Sequence, residues 1–182
     1  MVTIRATTMV HAPMDRCFRL AVSIDLQIAA NGHKAIDGVT SGLIGPGDTV
    51  TWPGRHFGKT GKHQTLIEVW HPYTFFRDIM IVGHFKSYEH DHHFAPLNDG
   101  TRIRDEIRFT AASGMLGRLR EKLFLQKKLI ALLKQRNTLI KRAAESDQWH
   151  DFLDGQAELD LRAFQAPSAA LHQHTDSIYA GY

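Results

Sequence analysis

Two histidines at alternate positions of one predicted strand are the side chains best suited to chemistry in this sequence. Within residues 88–94, His90 and His92 share a face with Tyr88 and Phe94, because successive side chains of a strand point to opposite faces. A neutral imidazole accepts or donates a proton near neutrality, with an ordinary pKa of about 6.5. If the two aromatic rings point inward, the imidazoles point inward with them.

A carboxylate in an otherwise apolar row accompanies these histidines. In the predicted strand 101–111, Asp105 shares one face with Ile103, Ile107 and Phe109. The other face carries charged side chains. An ionised carboxylate among apolar groups is costly unless it is paired. We therefore expect Asp105 to lie inside the protein close to the imidazoles.

Several interpretations of an inward Asp105 beside His90 and His92 stay open. The group could be a buried hydrogen-bond network that orients the strands, or a polar anchor for a ligand in which Asp105 fixes an imidazole tautomer. It could also be an acid/base pair. A zinc site completed by Asp105 or Asp78 is a further alternative. No cysteine supports a zinc site, and paired histidines on strands are common without metal, so we expect no metal and no cofactor.

The predicted elements that position these groups are mostly strands. Val2 to Val10 alternates as a half-buried strand, and two short helices follow, the second covering Asp25 to Ala30 and ending at Asn31-Gly32. Runs rich in Val, Ile, Thr and Phe, separated by turn signals, then predict six strands joined by short links. Their approximate ranges are 35–44, 48–57, 62–70, 75–85, 87–96 and 101–111. Short links favour an antiparallel sheet.

A long helix follows the predicted strands and runs from about residue 117 to Ala144. Its wide apolar face needs a large partner surface, so we expect it to lie across a strongly curved sheet in an α+β fold, β-αα-β6-α. Gln126 and Asn137 lie about three turns apart within that apolar face. Leucine would pack better in a dry core, so the two amides indicate a space that side chains do not fill.

Composition is that of one soluble globular domain, with 43% hydrophobic and 23% charged residues among 182. No apolar run approaches the ~18 residues that cross a bilayer, so we expect no membrane insertion. The single Cys17 has no internal disulfide partner, and the start of the chain lacks a signal-peptide pattern. These features predict a cytoplasmic protein.

The net charge of the chain changes from positive to negative near residue 146. Residues 147–182 carry six acids and one base, against a net charge of +3 for the whole chain. We predict a ligand-binding domain at 1–146 and an acidic, partly helical extension at 147–182 with a poorly ordered end. The extension could dock on the body or on a second copy, which leaves a homodimer open. The basic face of the long helix lacks interleaved aromatic residues, so we expect no nucleic-acid partner.

The order of elements and several motifs resemble a known superfamily over about residues 1–145. The chain is similar to the SRPBCC superfamily, the START-like helix-grip group that includes polyketide cyclases and the birch-pollen allergen. The resemblance lies in 50–52, 56–58, 76–80, 83–85, 88–94, 100–105 and 135–137. It implies a helix-grip fold and either binding of hydrophobic molecules or cyclisation and dehydration chemistry. It also favours an inward Asp78, which periodicity leaves open, although Met80 replaces an amide common in related sequences.

The function we expect is binding of a hydrophobic or aromatic small molecule, lipid- or polyketide-like, between the long helix and the sheet. The alternative is an enzyme of cyclase, aromatase or dehydratase type that uses His90 or His92 as acid/base with Asp105. The residues predicted to contact the ligand are Trp52, His56, Asp78, Met80, Tyr88, His90, His92, Phe94, Ile103, Asp105, Ile107, Leu123, Gln126, Ile130 and Asn137.

Overall fold

The computed structural model describes residues 1–56, 59–111 and 119–154. Its elements follow the predicted order, with one strand and two short helices before the rest of the sheet and a long helix after it. They are β1 (Val2–Val10), α1 (Met14–Ala21), α2 (Ile24–Asn31), β2 (Asp37–Gly38), β3 (Thr49–His56), β4 (Lys59–His71), β5 (Phe75–Val82), β6 (Phe85–Leu97), β7 (Gly100–Ala111), α3 (Leu119–Ala144), a 3₁₀ helix (Asp147–Trp149) and α4 (His150–Leu153).

Within the described residues, seven strands form one antiparallel sheet in the order β1-β7-β6-β5-β4-β3-β2. Irregular registers interrupt the β4–β5 and β6–β7 pairs, and such bulges bend the strands that contain them. The α+β class and the β-αα-β6-α order are therefore confirmed.

One predicted strand is much shorter than expected. The range 35–44 contains only the two residues of β2, because Gly38 and Gly42 have φ angles of 74° and 77°. These left-handed values are incompatible with a continuous strand and are favoured by glycine. The segment therefore turns twice where the sequence pattern predicts an extended run.

The two short helices cover one end of the sheet. Ser23 begins α2 by accepting a hydrogen bond from the Leu26 N–H, and Gly32 ends it with a φ of 71°, which is the predicted stop. From α1, Phe18 is fully buried and makes edge-to-face contacts with Trp70 and Phe94. This end of the sheet is thus filled by aromatic side chains.

The α3 helix crosses the sheet and contacts β1, α1 and α2. Toward its C-terminal end, Ile140, Ala143 and Ala144 pack in the same core cluster as Phe18. Leu125 and Leu133, which lie earlier on the helix, pack in a second cluster. No helix in the described ranges is both long enough and apolar enough to cross a membrane.

The first residues of the predicted extension pack on the body. Leu153 of α4 is 4% exposed in the main core, and the Arg16 guanidinium lies 4.7 Å from the centre of the Trp149 ring. Residues 155–182, which contain most of the predicted acidic extension and its end, lie outside the described residues.

Candidate functional site

A cavity of about 340 Å³ lies between α3, the end of α2 and strands β3 to β7. Several of the residues around it are exposed, and these mark its mouth: His33, Pro53, Lys128 and Leu132. Deeper in the fold its walls are apolar and belong to both core clusters. They include Ile44, Val50, Ile67, Phe76, Phe85, Ile107 and Leu133.

A polar cluster of one carboxylate and two imidazoles lines this cavity. Asp78 of β5 lies opposite His90 of β6 in the strand register, and His92 follows on the same face. The Asp78 Oδ2 atom lies 3.0 Å from His92 Nε2 and 3.7 Å from His90 Nδ1. The two imidazole rings are 3.7 Å apart, and Phe76 stacks on His92 at 4.0 Å between ring centres. Stacking and cross-strand pairing therefore fix both rings.

A second carboxylate lies behind the imidazoles and does not line the cavity. Asp105 of β7 is opposite His92 in the register and is 0% exposed. Its Oδ1 atom lies 3.2 Å from His90 Nε2, with which it shares a hydrogen bond. It also lies 2.9 Å from His92 Nδ1, but the angle of that contact does not suit a hydrogen bond. Each imidazole therefore has one ring nitrogen near Asp78 and the other near Asp105.

The α3 helix holds Asp105 in place. The Asn137 Nδ2 atom donates to Asp105 Oδ2 at 2.6 Å, and Arg136 Nη1 lies 3.4 Å from Oδ1. Arg136 also donates to the Asn137 side-chain oxygen and to the Ala21 carbonyl. Because a buried carboxylate needs several donors to stay ionised, these contacts explain why polar residues occupy the apolar face of α3.

Burial and these contacts together determine the pKa values of Asp105 and His90. Burial opposes ionisation of Asp105, but the hydrogen bond with His90, the close contact with His92 and the Arg136 charge outweigh it and hold its pKa well below the ordinary range. Burial lowers the pKa of His90, and the neighbouring His92 lowers it further. An ionised Asp105 beside a neutral His90 is therefore the arrangement these shifts favour.

Tyr88 and His63 are further polar rings that line the cavity. Tyr88 is on the same face of β6, and burial raises the pKa of its hydroxyl, which stays neutral. His63 of β4 lies opposite Trp52 and meets Tyr88 edge-to-face at 5.3 Å. Burial lowers the pKa of His63. The cavity thus offers neutral donors and acceptors besides the Asp78 carboxylate.

Sequence reasoning identified part of the cavity wall. Of the residues predicted to contact a ligand, the structure brings together six on the wall, and they are Trp52, Asp78, Tyr88, His90, His92 and Ile107. The direction of Asp78, which periodicity leaves open, is toward the cavity. The side chain of His56, which was also predicted to contact a ligand, lies outside the described part of the chain.

Other predicted contact residues lie away from the cavity. Phe94 and Ile103 are cross-strand partners in the core beneath α1, where Phe18 fills the space. Met80 and Ile130 pack on the second core cluster. The remaining ones are Asp105 and Asn137, which lie behind the imidazoles, Gln126, which is half-buried off the wall, and Leu123, which is 49% exposed.

Leu123 departs from the prediction because the apolar face of α3 is wider than the stripe that the sheet covers. Its neighbour Phe124 is 64% exposed as well, whereas Leu125 is buried. The position of a residue within a wide apolar arc therefore does not determine whether it faces the cavity.

Several lining residues were missed by the sequence analysis. Gln27 and Asn31 come from α2, His63 and Thr65 from β4, and Arg136 from α3. The alternation of His63, Thr65 and Ile67 was a usable signal for the β4 residues, since all three share one face. The α2 residues carried no such signal, because their contribution depends on how α2 packs against the sheet.

Known proteins match this chain in comparisons of structure but not in comparisons of sequence. No protein-family model and no curated protein sequence matches the chain. Among solved structures, the two-domain ARO/CYC protein StfQ from the steffimycin biosynthetic pathway has a TM-score of 0.65 at 16% identity, covering 81% of this chain and 52% of that one.

Two single-domain structures are similar over nearly their whole length. TTHA0849 from Thermus thermophilus has a TM-score of 0.61 at 22% identity, covering 79% of this chain and 99% of that one. A START superfamily protein from Mycobacterium smegmatis has a TM-score of 0.58 at 12% identity, covering 79% and 97%. With the observed element order, these likenesses show that the chain has a helix-grip fold like that of the START superfamily protein.

Proposed function

We propose that this protein binds a hydrophobic or aromatic small molecule, lipid- or polyketide-like, in the cavity under α3. The observation that carries the proposal is a cavity of about 340 Å³ whose apolar walls end at the polar cluster Asp78, His90 and His92. Small-molecule sites combine apolar walls with a few convergent polar groups in this way. The ARO/CYC protein among the similar structures supports a polyketide-like ligand by analogy of fold.

The size of the cavity restricts the ligand. Its volume lies at the lower end of the range of about 300–1,000 Å³ typical of small-molecule pockets. One molecule with a few fused rings or a short chain therefore fits better than a long-chain lipid. The mouth beside Lys128 and Leu132 leaves a route by which part of a longer ligand reaches solvent.

The walls and the inner end have different roles in binding. Contacts with Val50, Ile67 and Leu133 remove apolar ligand surface from water, which contributes roughly 25 cal/mol per Å² before the cost of association. At the inner end, the Tyr88 hydroxyl can donate to a carbonyl or phenol oxygen, and the Asp78 carboxylate can accept from a hydroxyl. A ligand with one polar end matches this division.

Binding is tested by a thermal-shift screen of flavonoids, aromatic polyketides and short-chain fatty acids, followed by titration of the best compound. Leu133→Phe places extra volume in the cavity, and Leu139→Phe makes the same change on the same helix at a partly buried position off the cavity. We expect at least a tenfold weaker affinity for Leu133→Phe, about the effect of losing 1.4 kcal/mol, and wild-type affinity for Leu139→Phe. Equal affinities for both variants, or no binder in the panel, would contradict the proposal.

A second candidate is an enzyme of cyclase, aromatase or dehydratase type. What favours it is the buried Asp105 behind two imidazoles that face the cavity, an arrangement in which a carboxylate orients a general base. Incubation with a reactive poly-β-ketone chain separates the two functions. An enzyme forms a cyclised or dehydrated product, and His90→Gln or His92→Gln then lowers turnover more than affinity. A simple binding protein returns the chain unchanged.

A further inference from the structure

We propose that Asp78, His90 and His92 bind one divalent first-row metal ion, Zn²⁺ in the first instance, with an open coordination position toward the cavity. The metal site stands on the geometry of these three side chains alone. Only the identity of the ligand that fills the open position rests on the proposed function.

The three side chains present ligand atoms at spacings suited to one ion. One ligand atom from each lies within 4.8 Å of the other two, and Asp78 Oδ2 is 3.0 Å from His92 Nε2 and 3.7 Å from His90 Nδ1. A tetrahedral ion bound at about 2.0–2.2 Å separates its ligand atoms by about 3.3–3.6 Å. The two distances from Asp78 bracket that range, and the two imidazole nitrogens lie within 4.8 Å of each other.

Asp105 supplies the support that metal-binding histidines require. An imidazole that binds metal through one nitrogen usually donates its other N–H to a carboxylate, which fixes its tautomer and orientation. Here His90 Nε2 and His92 Nδ1 both lie within 3.2 Å of Asp105 Oδ1. Asn137 and Arg136 fix Asp105 from α3. Both histidines thus have the same buried carboxylate on the side away from the proposed ion.

Counting hydrogens favours a cation between Asp78 and the imidazoles. A neutral imidazole has a single N–H, but both nitrogens of His90 and of His92 face carboxylates. Where a ring is neutral, the nitrogen that lacks a hydrogen turns its lone pair toward a carboxylate oxygen unless a cation lies between them. With the ion in place, both lone pairs face the metal, the His90 Nε2–H donates to Asp105, and His92 Nδ1 lies 2.9 Å from the same carboxylate.

Counting charge leads to the same conclusion and indicates the fourth ligand. With both imidazoles neutral, Asp78 and Asp105 contribute −2 and the Arg136 guanidinium that contacts Asp105 contributes +1, so the sum over these groups is −1. A divalent ion makes the sum positive, and one anionic ligand brings it to zero. Hydroxide, or the phenolate or enolate oxygen of a ligand in the cavity, meets that requirement.

The donor set and its exposure select the type of ion. Two imidazole nitrogens and one carboxylate oxygen, with no thiolate, suit Zn²⁺, Fe²⁺ or Co²⁺ better than Ca²⁺ or Cu⁺. Cys17 is buried elsewhere, against the Ala12 carbonyl. All three proposed ligands line the cavity, whereas Asp105 does not, so the open side of the ion faces the space available to a small molecule.

The direct experiment titrates the chelator-stripped protein with Zn²⁺ against a chromophoric competitor, and with Co²⁺ while visible absorption is recorded. We expect one equivalent to bind, with the intense visible bands of four-coordinate Co²⁺. Asp78→Asn and His92→Gln each remove a direct ligand, so each should weaken Zn²⁺ binding by more than the roughly 10–100-fold that loss of a hydrogen-bond partner of a ligand costs. His93→Gln, a half-buried histidine on the opposite face of β6, should bind as the wild type does.

The wild-type spectrum decides the proposal even where a variant folds poorly. Absence of stoichiometric Zn²⁺ binding, or weak Co²⁺ bands typical of six-coordinate surface sites, would overturn it. Equal affinities for His92→Gln and His93→Gln would do so as well. Because these titrations contain no organic ligand, failure to bind metal leaves the small-molecule proposal standing, and failure of the ligand screen leaves the metal proposal standing.

Discussion

At the scale of single residues, Asp105 is the group on which the polar cluster depends. It is 0% exposed and is contacted by His90, His92, Arg136 and Asn137. Three elements, β6, β7 and α3, therefore meet at one carboxylate. An ionised carboxylate in this position is stable only because its contacts replace water. The same contacts orient the imidazoles that line the cavity.

Truncating this side chain should be strongly destabilising. Asp105→Ala removes the partner of a buried guanidinium and of two imidazoles, so we expect the free energy of unfolding to fall by about 3–5 kcal/mol. Urea denaturation followed by circular dichroism measures this loss. Asp99→Ala, at an exposed turn between β6 and β7, serves as the control and should change stability by less than about 0.5 kcal/mol. Similar losses for both variants would contradict the central role of Asp105.

At the scale of elements, the ends of the helices and the turns determine where the sheet and α3 meet. The last turn of α3 is tied to the loop after β1, because Glu145 accepts a hydrogen bond from the His11 N–H at 2.7 Å. Lys141 contacts Glu145 and donates to the Met9 carbonyl. These contacts fix the C-terminal end of α3 and, through it, the position of Asn137 and Arg136.

The Glu145 contacts predict a defined pH dependence. The hydrogen bond from the His11 N–H and the neighbouring Lys141 lower the pKa of Glu145 below its ordinary 4.5. A lowered pKa in the folded state means that the stabilisation is present above about pH 4.5 and is lost as pH falls through the folded value. Glu145→Gln should therefore cost about 0.2–1 kcal/mol at pH 7, the range for a partly exposed ion pair, and less at pH 3. Chemical denaturation at both pH values checks this; an equal cost at both would contradict it.

The conformations of one glycine in β2 and one in the turn before β3 give a second prediction at this scale. Gly38 has a φ of 74°, and a Cβ there would lie 2.1 Å from the Thr49 carbonyl oxygen. Gly47 has a similar φ of 75° but open space around it. Gly47→Ala should cost about 1–2 kcal/mol, the strain of a left-handed alanine, and Gly38→Ala should cost clearly more. Thermal denaturation of the two variants measures the difference, and a smaller loss for Gly38→Ala would be inconsistent with the close approach of β2 to β3.

Secondary-structure elements could be predicted wherever they depend on a pattern of neighbouring residues in the sequence. Alternation over β6 and β7 determined which side chains share a face, and Asn31-Gly32 correctly ended α2. The pattern failed at 35–44, because the tendency of Val39 and neighbouring residues to form a strand is overridden by the left-handed glycines. Boundaries that depend on the φ angle of one glycine are not visible in hydrophobic periodicity.

At the scale of the whole molecule, the cavity is what remains after α1, α2 and α3 have packed on the sheet. Phe18 fills the end of the sheet near Phe94 and Ile103, whereas side chains nearer β3 to β5 leave space beneath α3. Sequence reasoning could place His90 and His92 on an inner face because that face follows from alternation. It could not tell which part of the inner face is filled, since this depends on contacts between residues far apart in the chain.

The central claim is that the face of β6 bearing His90 and His92 meets a ligand in the cavity. The most direct measurement is proton NMR of the histidine side chains during titration with the strongest compound from the screen. His93 provides an internal reference, because it lies on the opposite face of the same strand. We predict saturable shifts of the His90 and His92 ring signals with little change at His93. Saturable binding that leaves both cavity imidazoles unshifted, or that shifts His93 alone, would contradict the account.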